Sequence, residues 1–207
     1  MLVTFEGGEG CGKSVQARLL HDHLVGRGKK VLLVREPGST ALAESIRRVL
    51  LVGDTGEDIS PVTEALLFMT ARSDLWLKKI KPALDAGSIV ICDRFQDSTV
   101  VYQGECGGVD QKVIDTVYRS FAGRSVPDRT YFIDIDPAAG IDRSLSKLGN
   151  NETRFERMDL EFHKRVRGGF LKLARANPER FFVIDGTVAV SEIHNIITED
   201  MKSFMPD

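Results

Sequence analysis

The chain has 207 residues, with 28 Lys and Arg against 30 Asp and Glu, a formal charge of −2 and a pI of about 6.1. That length can bury one sizeable core, and the near-neutral balance excludes the global basic field that drives nonspecific nucleic-acid binding. Cys11, Cys92 and Cys106 are odd in number and lack CxxC or Cys/His spacing, which speaks against a disulfide framework or zinc centre and for a reducing cytoplasm.

The N-terminus runs from Met1 into a short apolar strand without a basic leader, and no apolar stretch reaches membrane-spanning length, so a soluble cytoplasmic protein is expected. Short β-rich apolar runs occur at Leu2 to Phe5, Val31 to Val34, Ile89 to Cys92, Tyr131 to Ile135 and Phe181 to Ile184. They are nearly continuous rather than alternating, the pattern of parallel strands covered on both faces. Between them, helical periodicity spans Lys13 to Arg27, Ala41 to Val52, Pro61 to Ala86, Asp110 to Phe121, Pro137 to Leu148, Leu160 to Ala176 and Ser191 to Phe204. Pro61 and Pro137 suit first helical turns, and Gly28, Gly87 and Gly123 suit helix C-termini. The expected fold is α/β: a five-stranded parallel sheet flanked by helices in three layers, one domain over residues 1–207.

The first strand leads into GGEGCGKS, which satisfies GxxxxGK[ST] through Gly7, Gly12, Lys13 and Ser14, and a helix follows at once. In that context Gly7, Gly8, Gly10 and Gly12 allow close backbone approach, so successive N–H groups from Gly7 to Ser14, across Glu9 and Cys11, face phosphates. Lys13 supplies a charge to the terminal phosphates and Ser14 a hydroxyl for Mg²⁺. A nucleoside triphosphate and Mg²⁺ are therefore expected, in a P-loop NTPase fold. No Asn-Lys-x-Asp stretch reads guanine, which disfavours a GTPase. The puzzle in the loop is Glu9, a carboxylate inside an anion-binding turn; it is either an idle loop residue or a group facing the acceptor and the Mg²⁺ shell.

The third strand ends in Asp93-Arg94, at the sheet edge where open parallel sheets place ligands. Asp93 can reach the Mg²⁺ shell and Arg94 a phosphate oxygen, although a salt-bridged pair would read the same way. Arg35-Glu36-Pro37-Gly38 follows the second strand. Phe68 and Arg72, four residues apart, share a helix face, so an aromatic plane and a guanidinium can stack on and hydrogen-bond a base; a core aromatic is the plainer alternative. The least regular polar segment, KLGNNET, is flanked by Arg143, Arg154 and Arg157 and reads as a short mobile lid, about 143–157, or as a solvated basic helix end.

Taken together, FEGGEGCGKS, REPG, FMTARS, DRFQDSTVVYQG and TRFE resemble the bacterial thymidylate kinases, in the same order from Leu2 to Asp185. The resemblance implies transfer of the ATP γ-phosphate to dTMP on the route to dTTP, by a P-loop nucleoside monophosphate kinase that is usually a homodimer. It places Arg72 on the thymine carbonyl, Phe68 against the ring, Tyr102 against the ribose where a 2′-hydroxyl would crowd it, and Gln103 beside the base. Ser98 and Thr99 of the same motif fall in the dTMP site, with Arg35 and Arg47 on its phosphate. Asp93 and Arg94 lie near the transferring phosphates, and Glu9 is an acidic loop position of this family, expected at the dTMP side or on Mg²⁺ waters.

Bacterial members lacking a loop arginine draw their cations from the lid. This chain has Arg143, Lys147 and Arg154 there, with Lys147 or Arg154 expected to reach the transition state and Arg143 expected at ATP. A deoxynucleoside kinase and a P-loop regulatory ATPase remain alternatives. No nucleic-acid or membrane partner is expected.

Overall fold

The computed structural model describes residues 1–52, 58–146 and 154–204. Its strands are β1 (Leu2–Glu6), β2 (Val31–Arg35), β3 (Ile89–Asp93), β4 (Arg129–Asp134) and β5 (Phe181–Asp185). They form one parallel sheet in the order β2-β3-β1-β4-β5, with Val3 opposite Ile91 and Phe5 opposite Tyr131. The expected five-stranded parallel sheet is therefore present. Each strand ends in a charged residue, Glu6, Arg35, Asp93, Asp134 or Asp185, and all five lie along the carboxyl edge.

The helices are α1 (Lys13–Gly26), α2 (Ala41–Val52), α3 (Pro61–Leu75), α4 (Lys81–Asp85), α5 (Gln96–Thr99), α6 (Gln111–Ala122), α7 (Pro137–Leu145), α8 (Leu160–Ala176) and α9 (Val190–Lys202). They bury apolar side chains on both sheet faces. On one side Phe5, Leu20, Leu24, Tyr131, Ile193 and Ile197 join α1 and α9 to the sheet; on the other Leu75, Trp76, Ile80, Val90, Phe95 and Tyr118 join it to α3, α4 and α6. Each such side chain stabilises by roughly 1.5–3 kcal/mol, so these two layers carry most of the fold.

The periodicity from Pro61 to Ala86 suggested one helix, but Trp76–Ile80 form a π-turn between α3 and α4. Pro82 explains the break: it has no N–H to donate, and its ring clashes with the carbonyl four residues back, so the extra residue of a wider turn relieves the conflict. The DRFQDSTVVYQG segment is likewise more helical than its sequence suggests. After α5 it continues as a π-segment over Val100–Cys106, which turns Tyr102 and Gln103 inward. Gly28 and Gly123 adopt positive φ, 74° and 65°, beyond α1 and α6, a freedom that glycine supplies at helix ends.

Among the described residues no helix is long and apolar enough to cross a membrane.

Candidate active site

The turn from β1 to α1 owes its shape to three glycines with positive φ, Gly7 at 144°, Gly10 at 65° and Gly12 at 100°. α1 has no acidic side chain in its first turn, so its N-terminal dipole is left for an anion. Lys13 is buried, and its Nζ donates to the Gly8 carbonyl at 2.6 Å, which holds the ammonium inside the curl of the loop. Cys11 is buried in the core against the sheet.

Gly10 and Gly140 meet face to face. A Cβ on Gly10 would lie 1.9 Å from the Gly140 carbonyl oxygen, and one on Gly140 would lie 2.4 Å from the Glu9 carbonyl oxygen. Helix α7 therefore rests directly on the backbone of the phosphate loop. Nothing in the sequence singles out Gly140, which reads there only as a weak helix former.

Glu9 has a definite place. One carboxylate oxygen is ion-paired with Arg94 Nη2, and the other accepts the Tyr102 hydroxyl at 2.9 Å. Burial would push its carboxyl up, but Arg94, Lys13, Tyr102 and His163 outweigh burial and hold it below the usual range. Arg94 also donates to the Gly7 carbonyl at 3.1 Å and to Ser98 Oγ at 3.2 Å, with its guanidinium 5.2 Å from the Tyr102 ring centre. Burial works against its charge, yet Glu9, Tyr102, Glu6 and Asp93 keep it firmly protonated. It adopts φ of 65°, rare for a residue with a side chain, at the point where β3 leaves the sheet.

That unusual turn is held from below by Glu6. Its Oε1 accepts the Phe95 N–H at 2.8 Å and the Ser98 N–H at 3.3 Å, and its Oε2 lies 2.6 Å from Ser98 Oγ. Burial and the nearby Asp97 raise its carboxyl to about 8. The unfolded chain releases this proton near pH 4.5 while the folded protein keeps it until about pH 8. Stability therefore falls as pH rises through that window. In Glu6→Gln the amide oxygen can accept both N–H groups while the amide nitrogen donates to Ser98 Oγ. Thermal melts should place this variant above the parent at pH 8.5, with the gap closing by pH 5; a constant gap would refute the buried neutral acid.

Beside the loop opens a cavity of about 260 Å³. Of the residues singled out from sequence, Glu9, Gly10, Lys13, Ser14, Arg35, Arg47, Phe68, Arg72, Asp93, Arg94, Ser98, Thr99, Tyr102 and Gln103 all line it. Arg72, only 2% exposed, is the densest node: Nε bonds Glu36 at 2.6 Å, Nη1 bonds Gln96 Oε1 and Thr99 Oγ1 at 2.9 Å each, and Nη2 bonds the Phe95 carbonyl at 3.0 Å. Five N–H groups minus these four leave one on Nη2 to offer. Burial lifts the Glu36 carboxyl to about 7 against the pull of Arg72.

Arg35 pairs with Glu44 at 3.2 Å, and Arg47 donates to the Pro37 carbonyl at 2.9 Å, which brings two guanidinium groups to the end of the cavity.

Sequence reasoning missed Phe155 and Glu156, which complete the wall. The Phe155 ring lies 6.3 Å from Phe68 and 5.5 Å from Tyr102, nearly perpendicular to the latter. Only the RFE motif hinted at it.

The lid candidates separate. Arg154 ion-pairs with Glu64 on α3 and donates to the Leu50 carbonyl at 3.2 Å, so it is tied to α2 and α3. Arg143 donates to the Gly186 carbonyl at 3.3 Å, on the β4–β5 side away from the cavity. Lys147 lies outside the described residues.

Ser14 Oγ donates to Asp93 Oδ2 at the mouth of the loop. A hydroxyl and a carboxylate are hard oxygen donors that fit Mg²⁺. Among the described residues no group of three His, Cys, Asp or Glu could cage a metal. Such a pair suits an ion that keeps waters and phosphate oxygens in its shell. Glu9, also a candidate for that shell, has both oxygens engaged by Arg94 and Tyr102.

A Walker-type loop at the carboxyl edge of a parallel sheet, with an acceptor-sized cavity of arginines and aromatics beside it, defines a P-loop phosphotransferase of the nucleotide kinase kind. The sequence profile of the family described as thymidylate kinase matches residues 5–197. The chain is 44% identical over 205 residues to a thymidylate kinase of Gloeobacter violaceus, covering 99% of this chain and 96% of that one. It is 42% identical over 207 residues to one from Geobacter sp. strain M21, covering 98% and 92%. A crystal structure of thymidylate kinase from Ehrlichia chaffeensis superposes with a TM-score of 0.79 at 34% identity, covering 97% of this chain and 98% of that one. The chain belongs to the thymidylate kinase family.

Proposed function

We propose that the protein transfers the γ-phosphate of ATP to dTMP, giving dTDP and ADP. The observation that carries this reading is Arg94. One guanidinium bonds the Gly7 carbonyl of the phosphate loop and, through Glu9 and Tyr102, the wall of the acceptor cavity. A cation so placed faces donor and acceptor together, which phosphoryl transfer requires, because positioning and charge neutralisation supply most of its catalysis.

The rest of the chain divides the work. Loop N–H groups and Lys13 hold the donor phosphates, Arg35 and Arg47 are suited to the acceptor phosphate, and Phe68 with Phe155 flanks the base. The remaining Arg72 N–H suits a pyrimidine carbonyl. Tyr102 is wedged against Phe155, Phe162 and Phe170 and tied to Glu9, so it cannot retreat from a 2′-hydroxyl; this favours a deoxyribose. Ser14 and Asp93 would hold Mg²⁺, which when bound shields the charge of the donor phosphates.

Helix-mediated dimerisation is supported by Val62 and Leu66 on α3, Leu77 in the π-turn and Val113 on α6, all exposed. A reducing cytoplasm suits the three free cysteines.

Purified protein with ATP, Mg²⁺ and dTMP should produce dTDP and ADP in equal amounts, and Lys13→Ala should lower kcat by at least about 10²-fold. Slow ATP hydrolysis indifferent to dTMP would instead indicate a regulatory ATPase, and preference for thymidine over dTMP a deoxynucleoside kinase.

A further inference from the structure

Glu64 lies in the first turn of α3, nearly buried at 8% exposed, behind the cavity wall rather than on it. Its two oxygens do different things. Oε1 accepts from Gln103 Nε2 at 2.7 Å, and Oε2 is ion-paired with Arg154. An ionised carboxylate only accepts hydrogen bonds, so it can meet only the nitrogen end of the Gln103 amide. Gln103 is itself buried and lines the cavity together with Arg72 and Thr99. Its amide oxygen has no hydrogen-bond partner among the described residues and is not among their fully buried unpaired atoms, so it is the end that remains for a ligand.

We propose that Glu64 is a positioning residue for nucleobase selection: by holding the Gln103 nitrogen, it turns the Gln103 oxygen toward the acceptor base. This rests on the kinase reading above. An acceptor oxygen there, beside the donor left on Arg72, matches a pyrimidine that carries an N3–H and a 4-carbonyl, as thymine and uracil do. Cytosine presents the opposite pattern, an unprotonated N3 and a 4-amino group, and would set acceptor against acceptor and donor against donor. Arg154 holds the other Glu64 oxygen in place, so the choice does not depend on a freely rotating amide.

The test is Glu64→Gln, which preserves shape but allows the Gln103 amide to sit either way round. The ratio of kcat/KM for dTMP to that for dCMP should fall about tenfold, the worth of one well-placed hydrogen bond. The change should appear in the KM for dTMP, with kcat and the KM for ATP within about twofold of the parent. Gln103→Leu should lower the ratio similarly, and adding Glu64→Gln to it should change nothing further.

An unchanged ratio in Glu64→Gln, or additive losses in the double variant, would overturn the proposal. So would a parallel loss of kcat, ATP affinity and melting temperature, which would mark Glu64 as merely structural. Calorimetric binding of dTMP and dCMP to the parent and to both single variants reads the same preference without turnover. Failed transfer with intact base preference would sink the kinase reading alone.

Discussion

Arg94→Ala should lower kcat for phosphate transfer by about 10³-fold, the scale expected when a preorganised cation is removed from a phosphoryl-transfer site. The loss should exceed that of any substitution at the end of the cavity, because this guanidinium alone spans the Gly7 carbonyl, Glu9 and Ser98. Arg94→Lys should recover only part of it, since an ammonium cannot serve those three directions from a planar fork. The substitution also strands Glu9. In the parent, Arg94 is the largest influence opposing the burial that would otherwise raise the Glu9 carboxyl.

The sign of the stability change follows. With its folded value below 4.5, Glu9 contributes stability that is present above that pH and is lost as pH falls through the folded value. Without Arg94 the burial is less opposed and the folded value rises, so less of that stability remains as pH climbs. Melting temperatures of Arg94→Ala should fall further below the parent at pH 8 than at pH 5. Equal deficits at both would show that Glu9 does not depend on Arg94.

Gly140→Ala should lower kcat/KM by about 10²-fold, the cost of displacing a reacting group by roughly 1 Å. Helix propensity predicts the reverse, a gain of up to about 1 kcal/mol from replacing glycine by alanine inside a helix. The two can be separated because Gly140 does not adopt a positive φ; its requirement is one of space alone, with the Glu9 carbonyl 2.4 Å from the added methyl. Gly168→Ala on α8 is the control. A Cβ there meets nothing within 4 Å, so this variant should melt at or above the parent temperature with unchanged kinetics. Should Gly140→Ala behave like Gly168→Ala, α7 would not be setting the position of the phosphate loop.

What the sequence made legible and what it hid differ in physical kind. The phosphate loop, the five buried strands and the pair Phe68–Arg72 were readable because each rests on local spacing: a fixed motif, a continuous apolar run, or a helical repeat. Asp93 and Arg94 were readable because open parallel sheets put ligands at strand ends.

Glu6, Glu64, Gly140 and Phe155 were not, because each matters through a neighbour distant in sequence. Glu6 answers to Ser98, Glu64 to Gln103 and Arg154, Gly140 to Glu9, and Phe155 to Phe68. Arg154 shows the same limit from the other side. Its charge marked it as a phosphate clamp, but its partner is Glu64 on α3. For Glu9 the alternatives have narrowed: its carboxylate engages the arginine and tyrosine of the acceptor wall, so it is not an idle loop residue.

The sheet order separates two parts of the site: the phosphate loop is the turn between β1 and α1, whereas the cavity wall draws on the end of β2, on α2, on α3, on the run from the end of β3 to Gln103, and on Phe155. A GxxxxGK[ST] loop presents much the same surface in every protein that has one, so an inhibitor built on adenosine phosphates would find many unintended targets. A neutral aromatic compound seated against Phe68 and Phe155, accepting from Arg72 and donating to Gln103, would need none of that shared surface. It would compete with the nucleotide monophosphate and not with millimolar ATP, and its selectivity would come from five chain segments that no generic P-loop protein assembles.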